Sequence, residues 1–197
     1  TRLYYVRLLK EEEYLNCLAA LTDGRLGNLT ATELALTNKT WVEDVRESTV
    51  RKTISGTNTV LDVNPKSRTC AYRPVLERIE AGDEPYNNLP VGLPVATGEN
   101  FQYDKYTDTG YFGIVPTTSL ATGSALATAI GLSAGVAQND TEGYLKFYWH
   151  GKVLFIGKKS YRHTITWDNI KAANAVFGID LGGSGKIDPD LVAALES

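Results

Sequence analysis

Two runs of aromatic and branched residues, Tyr144 to Trp149 and Val153 to Ile156, face each other across His150-Gly151-Lys152. A connection that short, with a Gly in it, predicts a tight antiparallel hairpin. Side chains alternate along a strand, so Leu145, Phe147 and Trp149 share one face and give the hairpin a strong core side. Tyr4 to Leu9 carries a looser alternation of the same kind. Glu11, Glu12 and Glu13 follow, then Tyr14, Leu15, Leu18 and Leu21 at helical spacing. Three carboxylates favour the positive end of a helix dipole, so this acidic run reads as a helix start rather than a metal or substrate site, with Asp23-Gly24 as its end.

Cys70 to Ile79 reads as a strand whose Pro74 belongs at an edge or bulge. Thr122 or Ser124 can cap a short helix through Leu126, Ala129 and Ile130 that ends at Gly131. Thr166 or Asp168 can cap another, carrying Ile170, Ala173, Val176 and Phe177, and Asp188-Pro189 opens a last one with Leu191, Val192 and Leu195 on its apolar stripe. The class is α+β: a small twisted antiparallel sheet with a few short helices. Gly24 to Lys66, polar and rich in Thr and Asn, reads as loops and short edge strands at Trp41-Val42 and Val60 to Val63 rather than a second core. Ala81 to Asn100 holds Gly82, Pro85, Pro90, Gly92, Pro94 and Gly98, the composition of a loop or linker. The expected organisation is a strand-helix-strand segment over residues 1–82, a Gly/Pro-rich linker or loop over 83–110, and a segment with the hairpin and helices over 111–197, the two segments able to pack as one domain.

Composition bounds the function. The chain has 197 residues, 20 basic and 23 acidic, for a net charge of −3. A slightly acidic chain without a basic stripe argues against a dedicated nucleic-acid binder. The weakly polar run Leu126 to Ala137 is too short to cross a bilayer, so no membrane insertion is expected. No Met occurs, and Thr1-Arg2-Leu3-Tyr4 reads as strand rather than signal peptide, so a processed start or a piece of a longer protein is expected. Cys17 and Cys70 lack CxxC spacing and read as two buried free thiols, with a single disulfide as the alternative. The N-x-[ST] tripeptides at Asn28, Asn38 and Asn139 would matter only in a eukaryotic secretory setting.

The sequence carries few signals of chemistry. Asp180 to Leu191 can be set on a twelve-residue calcium loop, but Gly182 stands where an oxygen ligand belongs and Leu191 replaces the bidentate Glu. The GGSGK string fails as a phosphate loop, because Asp180 and Ile187 occupy the positions of its first Gly and final Ser/Thr. His150 falls in the hairpin turn, and His163 stands among Lys158, Lys159 and Arg162. Neither histidine has zinc-ligand spacing with the cysteines. Asp104 and Asp108 are an available carboxylate pair for glycoside cleavage, and the flanking Tyr103, Tyr106, Tyr111 and Phe112 could stack on sugar rings. The Lys158-Lys159-Arg162 cluster reads as a solvated strand end, or as a contact for an acidic partner subunit. No catalytic, cofactor-binding or metal-binding residue is assigned, and no cofactor is expected.

Tyr111-Phe112-Gly113-Ile114-Val115, then ATAIGLSAGVAQND, GYLKFYWHGKVLFIGKKSYRHTITWDNI and AVFG, resemble a recurrent segment of tailed-bacteriophage virion structural proteins. In that segment a weakly polar stretch precedes an LKF, GKxLxIxKK and RHxIxWD series. Tyr5 to Lys10 (YVRLLK) and Tyr72 to Glu77 (YRPVLE) are similar to two further pieces of the family, here placed before the LKF segment, so their order is rotated. The resemblance covers about a third of the chain, from Tyr111 to Gly178, and carries no catalytic residues. Strand Val6 to Leu9, helix Glu12 to Leu21 and strand Tyr72 to Glu77, beside the hairpin and the helix Asp168 to Phe177, would form a two-layer unit that resembles a C-type-lectin-like or formylglycine-generating-enzyme-like fold. The resemblance implies a non-enzymatic structural component of the virion, as fibre, collar, tail-tip or head-decoration protein. Partners would be other virion proteins, in a symmetric homo-oligomeric assembly. The alternative is a receptor-binding, lectin-like module whose Tyr103 to Phe112 loop stacks on host-surface glycan.

Overall fold

The computed structural model describes residues 3–43, 49–54, 58–79 and 102–180. The linker or loop expected over 83–110 lies largely outside them, as do the calcium-like loop beyond Asp180 and the helix expected at Asp188-Pro189. Within the described residues the protein is α+β, with mostly antiparallel strands in two sheets.

The hairpin forms where its pattern places it. Strands β10 (Tyr144–Trp149) and β11 (Lys152–Gly157) pair from Tyr144↔Gly157 to Trp149↔Lys152, leaving only His150 and Gly151 in the turn. Both turn residues have positive φ, 46° and 80°. That is the backbone whose twist matches the flanking strands. The hairpin is the middle of a seven-stranded sheet ordered β13-β1-β6-β11-β10-β8-β7. Its other members are β1 (Leu3–Leu8), β6 (Pro74–Ile79), β7 (Gln102–Asp104), β8 (Thr109–Val115) and β13 (Ile179–Asp180). Strands from both halves of the chain therefore lie side by side, β6 against β11 and β1 against β13.

The second sheet, ordered β4-β3-β2-β5-β12-β9, comprises β2 (Thr40–Val42), β3 (Thr49–Ile54), β4 (Asn58–Val63), β5 (Thr69–Tyr72), β9 (Val136–Ala137) and β12 (Arg162–Thr166). Its existence corrects two expectations. Cys70 to Ile79 is not one strand with an accommodated proline: β5 belongs to one sheet and β6 to the other, and the chain changes sheets at Arg73-Pro74. Proline lacks the N–H a ladder needs and is tolerated at a strand's first residue, which is Pro74's place in β6. The stretch from Gly24 to Lys66 is also more than loops. Trp41 and Val50 are fully buried in the main core, and Leu26 and Leu34 in a second one.

The alternation of β10 and β11 divides the two cores. Tyr144, Val153 and Phe155, with Val6, Leu8 and Leu76, face the second sheet and two short helices, α3 (Gly123–Ala129) and α4 (Trp167–Ala172). Leu145, Phe147, Trp149, Leu154 and Ile156 face the opposite way, against a continuous helix over residues 11–22 and the buried leucines that follow it. That helix is α-helical at α1 (Glu11–Glu13), π-helical at Tyr14–Leu18 and α-helical again at α2 (Ala19–Thr22), and it stops before Gly24, whose φ is 87°. Thr122 caps α3, accepting the Ala125 N–H, and Thr166 caps α4 in a reciprocal box with Asn169. Helix α4 is shorter than its apolar spacing predicts, because Asn174 enters the left-handed region at φ 55°. Ala175 and Val176 stay buried beyond it, and the Val176 carbonyl accepts the Leu8 N–H.

Candidate functional site

The carboxylates and tyrosines singled out in the sequence gather at one end of the seven-stranded sheet, at the turn joining β7 and β8. These strands pair from Gln102↔Tyr111 to Asp104↔Thr109, leaving Lys105-Tyr106-Thr107-Asp108 as the tip. Asp104 organises the tip. One of its oxygens accepts the Tyr106 N–H at 2.9 Å and the other the Thr107 hydroxyl at 3.0 Å. Arg25, just past the end of α2, brings its guanidinium to 3.6 Å from the same carboxylate. The Tyr106 N–H above all, with the Thr107 hydroxyl and Arg25 adding, holds Asp104 below its ordinary pKa against the opposing effect of burial. Asp108 has φ 49°, accepts the Tyr103 hydroxyl at 2.7 Å and lies 3.9 Å from His150 Nδ1. The bond to Asp108 stabilises the neutral phenol and pushes the Tyr103 pKa up to about 12. The Asp108 carbonyl accepts the His150 N–H at 3.3 Å, which ties this tip to the β10–β11 turn.

The four aromatic rings do not act together. Tyr106 is 88% exposed and Tyr103 47%, whereas Tyr111 and Phe112 are buried on opposite faces of the sheet. Tyr111 packs on Phe147 with ring centroids 5.2 Å apart, and the Lys146 ammonium lies 5.4 Å from the Phe112 ring. A sugar-stacking surface can therefore use Tyr103 and Tyr106 only. Chemically, this tip offers one exposed ring and a second half-exposed ring, while the Asp104 carboxylate is nearly buried with both oxygens engaged within the chain.

The remaining candidates are dispersed. Lys158 and Lys159 approach Glu142, at 3.8 and 3.1 Å, and Arg162 donates to the Ala134 and Gly135 carbonyls at 2.8 and 2.9 Å. The basic cluster is thus partly neutralised and engaged within the chain. His163 contacts the Thr164 hydroxyl beside a register shift in β12. Both cysteines are free, Cys17 buried and Cys70 half-buried, and burial raises both thiol pKa values. Among the described residues no group of three or more His, Cys, Asp or Glu side chains could hold a metal ion. No helix among them is long and apolar enough to cross a membrane.

Sequence reasoning missed the largest charged feature. Arg7, fully buried on β1, donates to both oxygens of Glu13 and, at 3.1 Å, to Glu77 on β6. Lys152 reaches the other Glu77 oxygen at 3.2 Å. Beside them Arg51 on β3 pairs with Glu11 and lies over the Tyr14 ring, 4.9 Å from its centroid. Burial by itself would lower the Arg7 pKa, but the charge and hydrogen bonds of Glu13, with Glu77 and Glu43 adding, raise it instead. The acidic run is thus the helix start expected, and two of its three carboxylates also fasten that helix to the sheets. The available signal was an arginine inside the apolar run Val6-Arg7-Leu8. A second arginine, Arg73 at the sheet crossover, is equally buried and donates to the Leu34 and Lys158 carbonyls. Burial lowers its pKa to about 10.

An apolar pocket of about 340 Å³ opens between β1, β6 and α3, lined by Tyr4, Leu76, Leu120, Ala125 and Leu126 among others. No family model, curated protein or solved structure matches this chain.

Proposed function

We propose that this chain is a non-enzymatic structural component of a tailed-bacteriophage particle, a fibre, collar, tail-tip or head-decoration protein that acts through contacts with other virion proteins. One observation supports the reading above the rest. The three pieces of sequence that resemble virion proteins are scattered along the chain, yet they supply adjacent strands of one sheet: β1 from YVRLLK, β6 from YRPVLE, and β11, β10 and β8 from the segment after Tyr111. A rotated order of pieces is compatible with one packed unit when the pieces neighbour one another in space. The C-type-lectin-like or formylglycine-generating-enzyme-like arrangement belongs to this proposal, supported by a mainly antiparallel sheet with a helix packed on one face. Fold by itself carries no function. Quantitative mass spectrometry of purified phage particles tests the reading: the chain is expected at a fixed copy number per particle, and its absence from clean particles overturns it.

The exposure of Tyr103 and Tyr106 beside the Asp104 carboxylate favours a second reading, recognition of a host-surface glycan. Replacing both tyrosines by Ala should abolish glycan-array signal without loss of folding. Tyr111 is unsuitable for that test, since its removal would empty the core beside Phe147.

A further inference from the structure

Four basic side chains gather at one end of the second sheet without counter-ions. Thr69 of β5 pairs with Thr166 of β12, and Ala71 of β5 with Thr40 of β2, so the turn before β5, the start of α4 and Lys39 meet at this end. The Arg68 N–H closes that turn on the Pro65 carbonyl at 2.9 Å, and the Asp168 N–H, 3.4 Å from the Lys66 carbonyl, ties the turn to α4. Lys66 and Lys171 set their ammonium groups over the same buried ring, 4.7 and 5.5 Å from the centroid of Trp167. Arg68 donates to the Asn64 side-chain oxygen at 2.7 Å. Burial raises the Cys70 pKa, and Arg68 and Lys39 oppose it, which places both cations near the same thiol. Lys66, Arg68 and Lys171 are exposed and Lys39 is half-buried. None of the four pairs with a carboxylate among the described residues, Asp168 included. Strand β3 pairs Arg51 with Thr40 and runs on toward this end, where residues 52–59 add Lys52 and no acidic residue. By contrast Arg25 meets Asp23, Lys152 meets Glu77, and Lys158 and Lys159 meet Glu142.

We propose that Lys39, Lys66, Arg68 and Lys171 form a docking face for a short acidic segment, rich in Asp or Glu, of a partner protein. Holding two like charges over one ring costs energy that a carboxylate set beside both recovers. Charge complementarity selects the partner. Nucleic acid is the weaker fit. The chain's 23 acidic residues outnumber its 20 basic ones, so a long polyanion would be repelled beyond this face, whereas a short segment meets the four cations alone. Bases also need exposed rings to stack on, and Trp167, which carries the two lysines, is buried. The acidic partner expected at Lys158, Lys159 and Arg162 would find those groups engaged within the chain, and unpaired cations here instead. The face is argued from charge and pairing, so it stands or falls apart from the particle reading.

Fluorescence anisotropy of a fluorescein-labelled peptide of alternating Asp and Glu, titrated with the full chain at low and high salt, is the test. Saturable binding that weakens with salt is expected. Lys66→Gln and Lys171→Gln are changes at exposed positions and should keep the native circular dichroism spectrum. Each should weaken binding about two- to fivefold, the value of an exposed ion pair, and the double variant more. Lys158→Gln with Lys159→Gln should leave binding unchanged. Carbodiimide cross-linking, read by mass spectrometry, should join peptide carboxylates to Lys39, Lys66 and Lys171. The proposal is overturned by absence of binding at low salt, by binding that the double lysine variant leaves unchanged, or by cross-links that fall on Lys158 and Lys159 instead. It is also overturned if single-stranded DNA of equal charge displaces the peptide at a lower concentration than unlabelled peptide does, which would assign the face to nucleic acid.

Discussion

Glu13→Gln is the sharpest perturbation of the fold. Arg7 and Glu13 are both wholly buried, and two hydrogen bonds join them where the helix over residues 11–22 meets β1. Removing one partner of such a pair costs about 3–5 kcal/mol, because the remaining charge stays in a dry site. Two features reduce the loss. Gln keeps the shape and one acceptor, and Glu77 still faces Arg7 at 3.1 Å. A destabilisation of about 2–4 kcal/mol follows. For a protein of this size that corresponds to a fall in Tm of roughly 4–16 °C. Urea unfolding followed by circular dichroism and tryptophan fluorescence would measure it. The double variant Arg7→Met with Glu13→Gln should lose less than the sum of the two single changes, with a coupling of about 1–3 kcal/mol. A loss below about 1 kcal/mol in Glu13→Gln, the value of an exposed pair, would refute the argument that this pair is desolvated and holds the helix to the sheet.

Gly143 and Gly131 make a matched pair: both have positive φ, 84° and 72°, but a Cβ on Gly143 would meet the Val115 carbonyl oxygen at 2.7 Å, whereas one on Gly131 meets nothing within 4 Å. Gly131→Ala should therefore cost only the backbone penalty, about 1–2 kcal/mol, and Gly143→Ala clearly more, as read from thermal melts. Thr166→Ala removes the cap of α4 and should cost about 1 kcal/mol, an effect that Thr166→Ser largely restores. Asp104 should titrate below the ordinary carboxylate range in a carbon-detected NMR titration. A carboxylate depressed in the folded state adds stability above its unfolded pKa and loses it as pH falls through the folded value. An Asp104 that titrates with the exposed carboxylates would show that the tip is not held as described. Ellman's reagent should label Cys70 before Cys17, and Cys17 only as fast as the protein opens, because Cys17 is sealed under the π-helical turn.

Local chemistry sufficed for the elements it governs. The hairpin was legible from its alternation and its Gly, the helix at residue 11 from three carboxylates before an apolar stripe, and the starts of α3 and α4 from threonines that cap within one turn. In each case the deciding interactions span only a few residues, so the sequence pattern carries them. The tip at Asp104 was legible in part. Its residue types were visible, but the division of its rings was not, because Tyr111 and Phe112 continue into β8 as core residues while Tyr103 lies on an edge strand.

Pairing over long separations was decided only in three dimensions. Nothing local to Arg73-Pro74 says that the chain leaves one sheet for another there. That outcome depends on Leu8 and Leu76, Tyr72 and Ile165 finding their places in layers assembled from distant segments. Nor does the acidic run reveal that Glu13 meets Arg7 and Glu77, since a carboxylate in a helix's first turn is usually solvated. By itself the sequence determined where the hairpin lies and where the helices at Glu11, Gly123 and Trp167 start, because backbone propensity and capping act over a few residues. The tertiary structure decided which strands became neighbours and which charges became buried, because those outcomes depend on packing and desolvation summed over the whole chain.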